Sequence, residues 1–156
     1  MHEYEHTQPG TFIRAMTGLW VVIFVVGSVV MLALGGQEVA GAVIPGIVML
    51  AVFTAIIVAL FHSLTVRISR SDIAISFGVG LIRKRFPIGD IRSVRIARNR
   101  WYNGWGIRMI RGGWLYNVSG FDAVEIQLKN ERKYRIGTDQ PKKLLAAVES
   151  ALAGSS

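Results

Sequence analysis

Two uncharged apolar runs decide the fold: Ala15 to Leu34 is AMTGLWVVIFVVGSVVMLAL, and Val39 to Phe61 is VAGAVIPGIVMLAVFTAIIVALF. At a rise of about 1.5 Å per residue, helices of these lengths extend about 30 and about 35 Å, which matches a hydrocarbon core of about 30 Å. Only the four residues from Gly35 to Glu38 separate the runs. The sequence therefore predicts a transmembrane hairpin over residues 15–61, with spans at 15–34 and 39–61.

The inner surface of this hairpin is predicted from a stripe of small residues. Ala51, Ala55 and Ala59 recur at the spacing that lets two helix backbones approach closely. We expect the stripe to face the first span, and an oligomer interface is the alternative. Neither run contains an ionisable residue, which argues against a transporter or a channel.

Charge predicts the orientation of the chain. Residues 62–156 carry 17 Lys and Arg against 7 Asp and Glu, whereas the short connection carries no positive charge. By the positive-inside rule we expect residues 62–156 to form a cytoplasmic domain at the cytoplasmic membrane. Because two spans return the chain to its starting side, residues 1–14 are predicted to be a cytoplasmic N-terminal segment. The absence of cysteine agrees with a reducing compartment.

The first run has a second interpretation, as a cleaved signal peptide. Ala33-Leu34-Gly35 resembles a small-residue cleavage site. The apolar region of a signal peptide is about 7–15 residues long, which is shorter than this run, and Glu3 and Glu5 oppose a positive N-terminal region. We therefore favour a membrane span.

The region after His62 has the period-two pattern of β-strands. Apolar and polar residues alternate over 64–69 and 73–77, and a clear hairpin occupies 124–136 around Asn130-Glu131. Shorter apolar alternations occur at 82–86, 94–96, 107–109 and 114–118. We expect seven or eight short antiparallel strands in a small barrel or sandwich.

A helix is predicted at the C-terminal end of the domain. Pro141 suits its first turn, and Thr138 or Asp139 is the expected N-cap. Its apolar face comprises Leu144, Leu145, Val148 and Leu152. We expect Leu144, Val148 and Leu152 to be buried where this helix closes the open end of the β domain.

Four stretches carry a resemblance to a known family: GWGIR at 104–108, GGWLYNVSG at 112–120, AVEI at 123–126 and RIGTDQP at 135–141. On these the chain resembles bacterial membrane proteins in which a pleckstrin-homology-like domain follows a transmembrane hairpin. The resemblance spans about residues 64–152. It implies a seven-stranded barrel with a capping helix, a binding or scaffolding role, no enzymatic activity, no cofactor and no catalytic residue.

The most suggestive chemistry is a basic cluster interleaved with aromatic residues. Between residues 83 and 111 the only acid is Asp90, and the basic residues are Arg83, Lys84, Arg85, Arg92, Arg95, Arg98, Arg100, Arg108 and Arg111. The aromatic residues are Trp101, Tyr102, Trp105 and Trp114. The functional interpretation is a surface for anionic lipid or a partner protein, with Trp101 and Trp105 at headgroup level. The alternative is solvated strand faces, with Trp101 and Trp114 as core anchors.

Other chemistry is poorly represented. The histidines are His2, His6 and His62, which suggest neither a catalytic triad nor a metal site. Gly78-Val79-Gly80 and Gly104-Trp105-Gly106 lack the third glycine of a dinucleotide loop and are interpreted as turns. Arginine with aromatics also suits single-stranded nucleic acid, but no RNA-recognition motif accompanies it, so no nucleic-acid partner is expected.

These observations favour a non-enzymatic membrane protein without a cofactor or metal. We expect its pleckstrin-homology-like domain to bind a partner protein or anionic lipid at the cytoplasmic face. The alternative is a scaffold subunit of a larger membrane complex, assembled through the hairpin.

Overall fold

The computed structural model describes residues 4–154. Helix α1 comprises Thr11–Phe61 and contains 51 residues, so a straight helix of this length would extend about 77 Å. Instead its two ends meet, because the backbone N–H of Gly10 donates to the carbonyl of His62 at 2.7 Å. The chain must therefore reverse within α1. Two arms result, Thr11–Gly35 and Gly41–Phe61, each long and apolar enough to cross a membrane.

The arms fit the predicted membrane hairpin, and their surfaces suit lipid. Only 6% of the most apolar window of each arm is buried, which is unlike the core helix of a soluble protein. The backbone between the arms stays helical over residues 36–40, so a sharp bend replaces the predicted non-helical connection.

The arms pack through a different face from the predicted one. Val43 is buried, and the Cζ atom of Phe24 lies 3.7 Å from the position a Cβ would take at Gly46. Ala51 and Ala55 are exposed, so the prediction that the alanine stripe faces the first span is wrong. Two helices can approach more closely at a glycine than at an alanine. The face of the second arm that contains Val43 and Gly46 therefore packs against the first arm.

The β domain consists of two sheets and one helix. The first sheet is antiparallel, in the order β1 (Tyr4–Pro9), β2 (Ser63–Ile68), β3 (Asp72–Phe77) and β4 (Ile82–Pro87). The second sheet contains β5 (Ile91–Arg98), β6 (Gly106–Ile110), β7 (Gly113–Asn117), β8 (Asp122–Leu128) and β9 (Lys133–Gly137), in the order β5-β8-β9-β7-β6. Helix α2 comprises Pro141–Ala153, and short 3-10 turns occupy Ile88–Asp90 and Trp101–Asn103.

Three features differ from the sequence expectation. The sheets are not closed into a barrel, because among the described residues no strand of the first sheet pairs with a strand of the second. The described strands number nine, since residues 4–9 add the unpredicted β1. Strands β7 and β9 pair in parallel rather than antiparallel. Gly113 permits this pairing, because a Cβ there would overlap the backbone of Lys133.

Both sheets share one apolar core, and α2 covers part of it. Inner-face residues such as Leu64, Phe77 and Ile136 are fully buried. Leu144 and Val148 of α2 are buried as predicted, while Leu152 is half-buried. The N-cap of α2 is Gln140 rather than Thr138 or Asp139, and its backbone N–H donates to Thr138 Oγ1 at 3.0 Å.

Candidate membrane-facing surface

Three connections of the β domain meet the ends of the helical arms: residues 78–81, 99–105 and 118–121. The N–H of Val79 donates to the carbonyl of Ala59 at 3.1 Å. The rings of Phe12 and Trp105 stack with centroids 3.5 Å apart. The hydroxyls of Thr11 and Ser119 lie 2.7 Å apart. We call this part of the domain the helix-proximal end, and it lies where the arms would leave a membrane.

A glycine makes the closest of these contacts possible. Gly78 has a φ of +48°, and a Cβ there would overlap the carbonyl oxygens of Ala59 and Leu60. Its N–H donates to the carbonyl of Ser63 at 2.9 Å. Because the atoms in the way belong to backbone, no side-chain rotation would make room for a larger residue. The β3–β4 turn is therefore seated directly on the end of the second arm.

The helix-proximal end exposes large apolar side chains. Leu81 is 77% exposed and Trp101 is 78% exposed, and Val79, Tyr102 and Phe121 are also accessible. The exposure of Trp101 rules out the alternative that it anchors the core. Aromatic rings with a polar atom favour the headgroup level of a membrane. Sequence reasoning missed Val79, Leu81 and Phe121, although an apolar residue beside turn glycines, as in Gly-Val-Gly-Leu, is the signal that would have found the first two.

Several arginines accompany these apolar residues. Arg98 is the last residue of β5, and Arg83 is the second residue of β4 from the helix-proximal end. Arg100 donates to the Tyr102 hydroxyl at 2.8 Å, with its guanidinium 5.8 Å from that ring. Arg14 is exposed in the first turns of the first arm. Cations and amphipathic rings thus share one end of the domain.

The remaining predicted basic residues do not join this surface. Arg92 pairs with Glu131 near the far end of the domain, and Arg111 lies in the β6–β7 turn at that same end. Arg108 is on β6 and donates to the carbonyl of Trp105 at 3.2 Å. Strands β5 and β6 are opposite edges of the five-stranded sheet, about 19 Å apart at strand spacing. The basic cluster is therefore not a single face.

Arg85 and Lys84 point to opposite sides of β4. Arg85 lies on the outer face of the first sheet, 3.9 Å from Asp72. Lys84 is opposite Ile75, so its side chain projects from the inner face. Trp105, which was predicted at headgroup level, instead links the helix to the domain through its stack on Phe12, and it is half-buried.

Arg95 belongs to an ionic cluster around the buried carboxylate of Glu125, on the outer face of the second sheet. Its Nε and Nη2 atoms donate to Glu125 Oε1 at 2.9 and 2.5 Å, and Arg135 Nε donates to Oε2 at 2.7 Å. Burial raises the pKa of Glu125, but the hydrogen bonds and charges of Arg135 and Arg95 outweigh this effect and lower the pKa overall. Arg95 is thus engaged within the domain.

Tyrosines line the inner side of the second sheet. Burial raises the pKa of Tyr116, and the neighbouring Tyr134 adds to the increase. Their ring centroids lie 6.5 Å apart. The Tyr116 phenol therefore stays neutral at physiological pH, and both rings contribute apolar surface.

No group of three metal-ligating side chains is found within residues 4–154. His6 Nε2 lies 2.6 Å from Asp139 Oδ1, which connects β1 to the segment before α2. His2 lies outside the described residues. Comparisons with protein-family models, with curated proteins and with solved structures gave no match.

Proposed function

We propose that this protein is a non-enzymatic membrane protein whose β domain binds anionic lipid headgroups through its helix-proximal end. One observation carries the proposal. The helix-proximal end combines exposed Leu81 near Arg83 in the β3–β4 region with exposed Trp101 and Tyr102 near Arg98 and Arg100 in the β5–β6 connection. An apolar tip flanked by cations matches the interface between headgroups and acyl chains.

The expected affinity is modest for each contact but sufficient for a tethered domain. A Lys or Arg near an anionic leaflet gains about 1 kcal/mol. The arms already hold the domain at the surface, so binding becomes an intramolecular event with a high effective concentration. Lipid contacts are then not needed to bring the domain to the membrane, and their effect is on the orientation of the domain at the surface. The strongly basic composition of residues 62–156 supports a cytoplasmic location, where anionic lipids are concentrated.

The proposal retains a pleckstrin-homology-like fold in its broad outline. An antiparallel four-stranded sheet shares a core with a second sheet, and a C-terminal helix covers that core. The stretches that carry the resemblance form β6, β7, β8 and the passage from β9 into α2. The open barrel and the parallel pair are departures from the family pattern.

The test uses the full chain in vesicles, and the absence of cysteine makes single labelling simple. A bimane label is attached to Val79→Cys, at the helix-proximal end, or to Lys129→Cys, at the far end. Spin-labelled lipid headgroups should quench the Val79 label in vesicles rich in anionic phospholipid. Quenching should fall at high salt and in neutral vesicles, because exposed charges are screened beyond about 8 Å at physiological ionic strength. The fluorescence of the label at Lys129→Cys should not be quenched under any of these conditions.

Matched variants separate specific contact from mere proximity. Replacing Arg98 and Arg100 by Gln should reduce salt-sensitive quenching of the Val79 label, whereas Arg92→Gln should leave it unchanged. If quenching of the Val79 label is the same in anionic and neutral vesicles, at low and high salt, and in the double variant, lipid binding is overturned. That result would favour the alternative of a scaffold subunit assembled through the hairpin.

A further inference from the structure

The two sheets leave an open seam between strands β4 and β6. Among the described residues, β4 pairs only with β3, and β6 pairs only with β7. Each strand therefore presents one unpaired backbone edge toward the gap. A cavity of about 390 Å³ lies there, lined by residues that include Phe77, Lys84, Ile107, Trp114, Arg132 and Tyr134. The strand pattern predicts a small barrel or sandwich and gives no sign of this seam.

The floor of the seam is uncovered core. The inner face of the second sheet carries a row of paired residues: Ile126, Tyr134, Trp114 and Met109. Their exposed fractions rise from 0% and 6% to 41% and 76% toward the β6 edge. The apolar layer thus continues to the edge of the sheet, where Trp114 is partly and Met109 largely uncovered by the described residues. Uncovered apolar surface of this kind commonly marks an interaction site.

The walls of the seam are positively charged. Lys84 projects from the inner face of β4, and Arg132 comes from the β8–β9 turn. The residues that line the cavity include no carboxylate. An occupant would therefore need negative charge on the side that faces β4 and apolar groups on the side that faces Trp114.

The two strand edges are not equivalent. Strand β4 ends in Pro87 and carries the inward-pointing Lys84, which are features that protect an edge against strand pairing. Strand β6 turns Ile107 and Met109 toward the seam and has no inward charge. Backbone pairing is thus favoured at β6, and β4 supplies the cations.

We propose that the seam binds an extended acidic segment of a partner protein, which adds to β6 as a further strand. Alternate side chains of an added strand point to opposite sides, so one set packs on Met109 and Trp114. Carboxylates in that same inward-pointing set then meet Lys84, which projects from the inner face of β4, and Arg132 at the far end of the cavity. A membrane lipid fits less well, because Arg132 lies at the end of the domain away from the arms, and lipid would leave the β6 edge unpaired.

The test uses the full chain in neutral detergent micelles and the fluorescein-labelled octapeptide Thr-Val-Thr-Glu-Thr-Val-Thr-Glu, in which Val and Glu lie on the same side of a strand. Anisotropy should report saturable binding at low salt, and Lys84→Glu combined with Arg132→Glu should weaken it roughly tenfold or more. Arg92→Glu combined with Lys142→Glu is the matched control, because it makes the same charge change outside the seam, and it should have little effect. The same peptide with Lys in place of Glu should bind at least roughly tenfold more weakly.

Backbone pairing is tested separately. N-methylation of alternate peptide bonds should abolish binding, and the unmodified peptide should slow hydrogen exchange in residues 106–110. No saturable binding below about 1 mM would overturn the proposal, as would equal binding by the methylated peptide. Slower hydrogen exchange in β4 without any change in residues 106–110 would also overturn it.

Discussion

At the scale of single residues, Glu125 shows how a buried charge is accommodated. Its side chain is only 4% exposed, and both oxygens accept hydrogen bonds from arginines on neighbouring strands. The cross-strand register places Glu125 between Arg95 and Arg135, so the three charges form a row across β5, β8 and β9. Because one buried carboxylate neutralises two guanidiniums, removing the carboxylate should reduce the stability of the domain more than removing either arginine.

We predict that Glu125→Gln destabilises the β domain by about 2–3 kcal/mol at neutral pH, because two cations lose their counter-charge. The control is Glu131→Gln, which breaks the exposed pair with Arg92 and should cost less than about 1 kcal/mol. Thermal unfolding in detergent, followed by near-UV circular dichroism, measures both. Equal losses in the two variants would contradict a special role for Glu125.

The same residue predicts an acid dependence. Because the pKa of Glu125 is lowered in the folded state, its contribution is complete above the unfolded value of about 4.3. That contribution is lost as the pH falls through the lower folded pKa. The difference in melting temperature between the wild type and Glu125→Gln should therefore shrink below about pH 4. A difference that is constant from pH 7 to pH 3 would show that the carboxylate charge is irrelevant.

Gly78 controls the contact between helix and domain. We predict that Gly78→Ala costs about 2 kcal/mol, since the left-handed backbone and the carbonyls of the second arm both disfavour a Cβ. Hydrogen exchange at the Val79 N–H should accelerate in parallel. Gly89→Ala is the control, because a Cβ there meets no atom within 4 Å. Equal stability of the two variants would argue against this close contact.

At the scale of elements, helix α2 behaves as its sequence predicts. Its apolar positions three and four residues apart bring Leu144 and Val148 onto the core, and Ala151 joins them. Strand β1 could not be recognised in the same way. Its residues Tyr-Glu-His-Thr-Gln-Pro offer a single large apolar side chain, and the strand exists because β2 provides an edge to pair with.

We predict that Val148→Asp unfolds or strongly destabilises the β domain, at a cost of several kcal/mol, because a charge would enter a fully buried position. Ala146→Asp places the same charge on the exposed face of α2 and should have little effect. Melting temperatures of the full chain in detergent distinguish the two. Similar values for both variants would show that α2 does not cover the core.

At the scale of the whole molecule, the hairpin and the domain form one connected unit. The chain enters β1, crosses through both arms of α1 and returns to β2, which pairs with β1 directly beside the helix ends. Both ends of the hairpin are therefore tied to the same sheet. This arrangement holds the helix-proximal end of the domain at a fixed level relative to the arms.

We predict that the far end of the domain and the bend between the arms lie on opposite sides of the membrane. A cysteine at Lys129 should react with an impermeant maleimide only after the cells are permeabilised. A cysteine at Gln37 should react in intact cells. The physical reason is the excess of Lys and Arg in residues 62–156. Labelling of Lys129→Cys in intact cells would place the domain outside.

By itself the sequence determined the local features: two apolar helices long enough to cross a membrane, a β domain and a final helix. These follow from hydropathy over about 20 residues and from side-chain periods of 2 and 3.6, which neighbouring residues alone set. The prediction of the close-packed face of the hairpin was wrong because Gly46, next to Pro45 in an apolar run, carries no local sign of a packing role. Only the contact with Phe24 shows that role.

Only the tertiary structure decided how the strands combine and where the charges lie. Pairing β7 with β9 in parallel, adding β1 and leaving the seam open depend on contacts between residues distant in the sequence. The same contacts separate basic residues that are adjacent in the chain. Arg98 and Arg100 reach the helix-proximal end, Arg95 binds Glu125, and Lys84 faces the seam. Counting charges along the sequence could not separate these residues into groups. The direction of each strand decides at which end of the domain a side chain lies, and the register decides on which face of the sheet it lies.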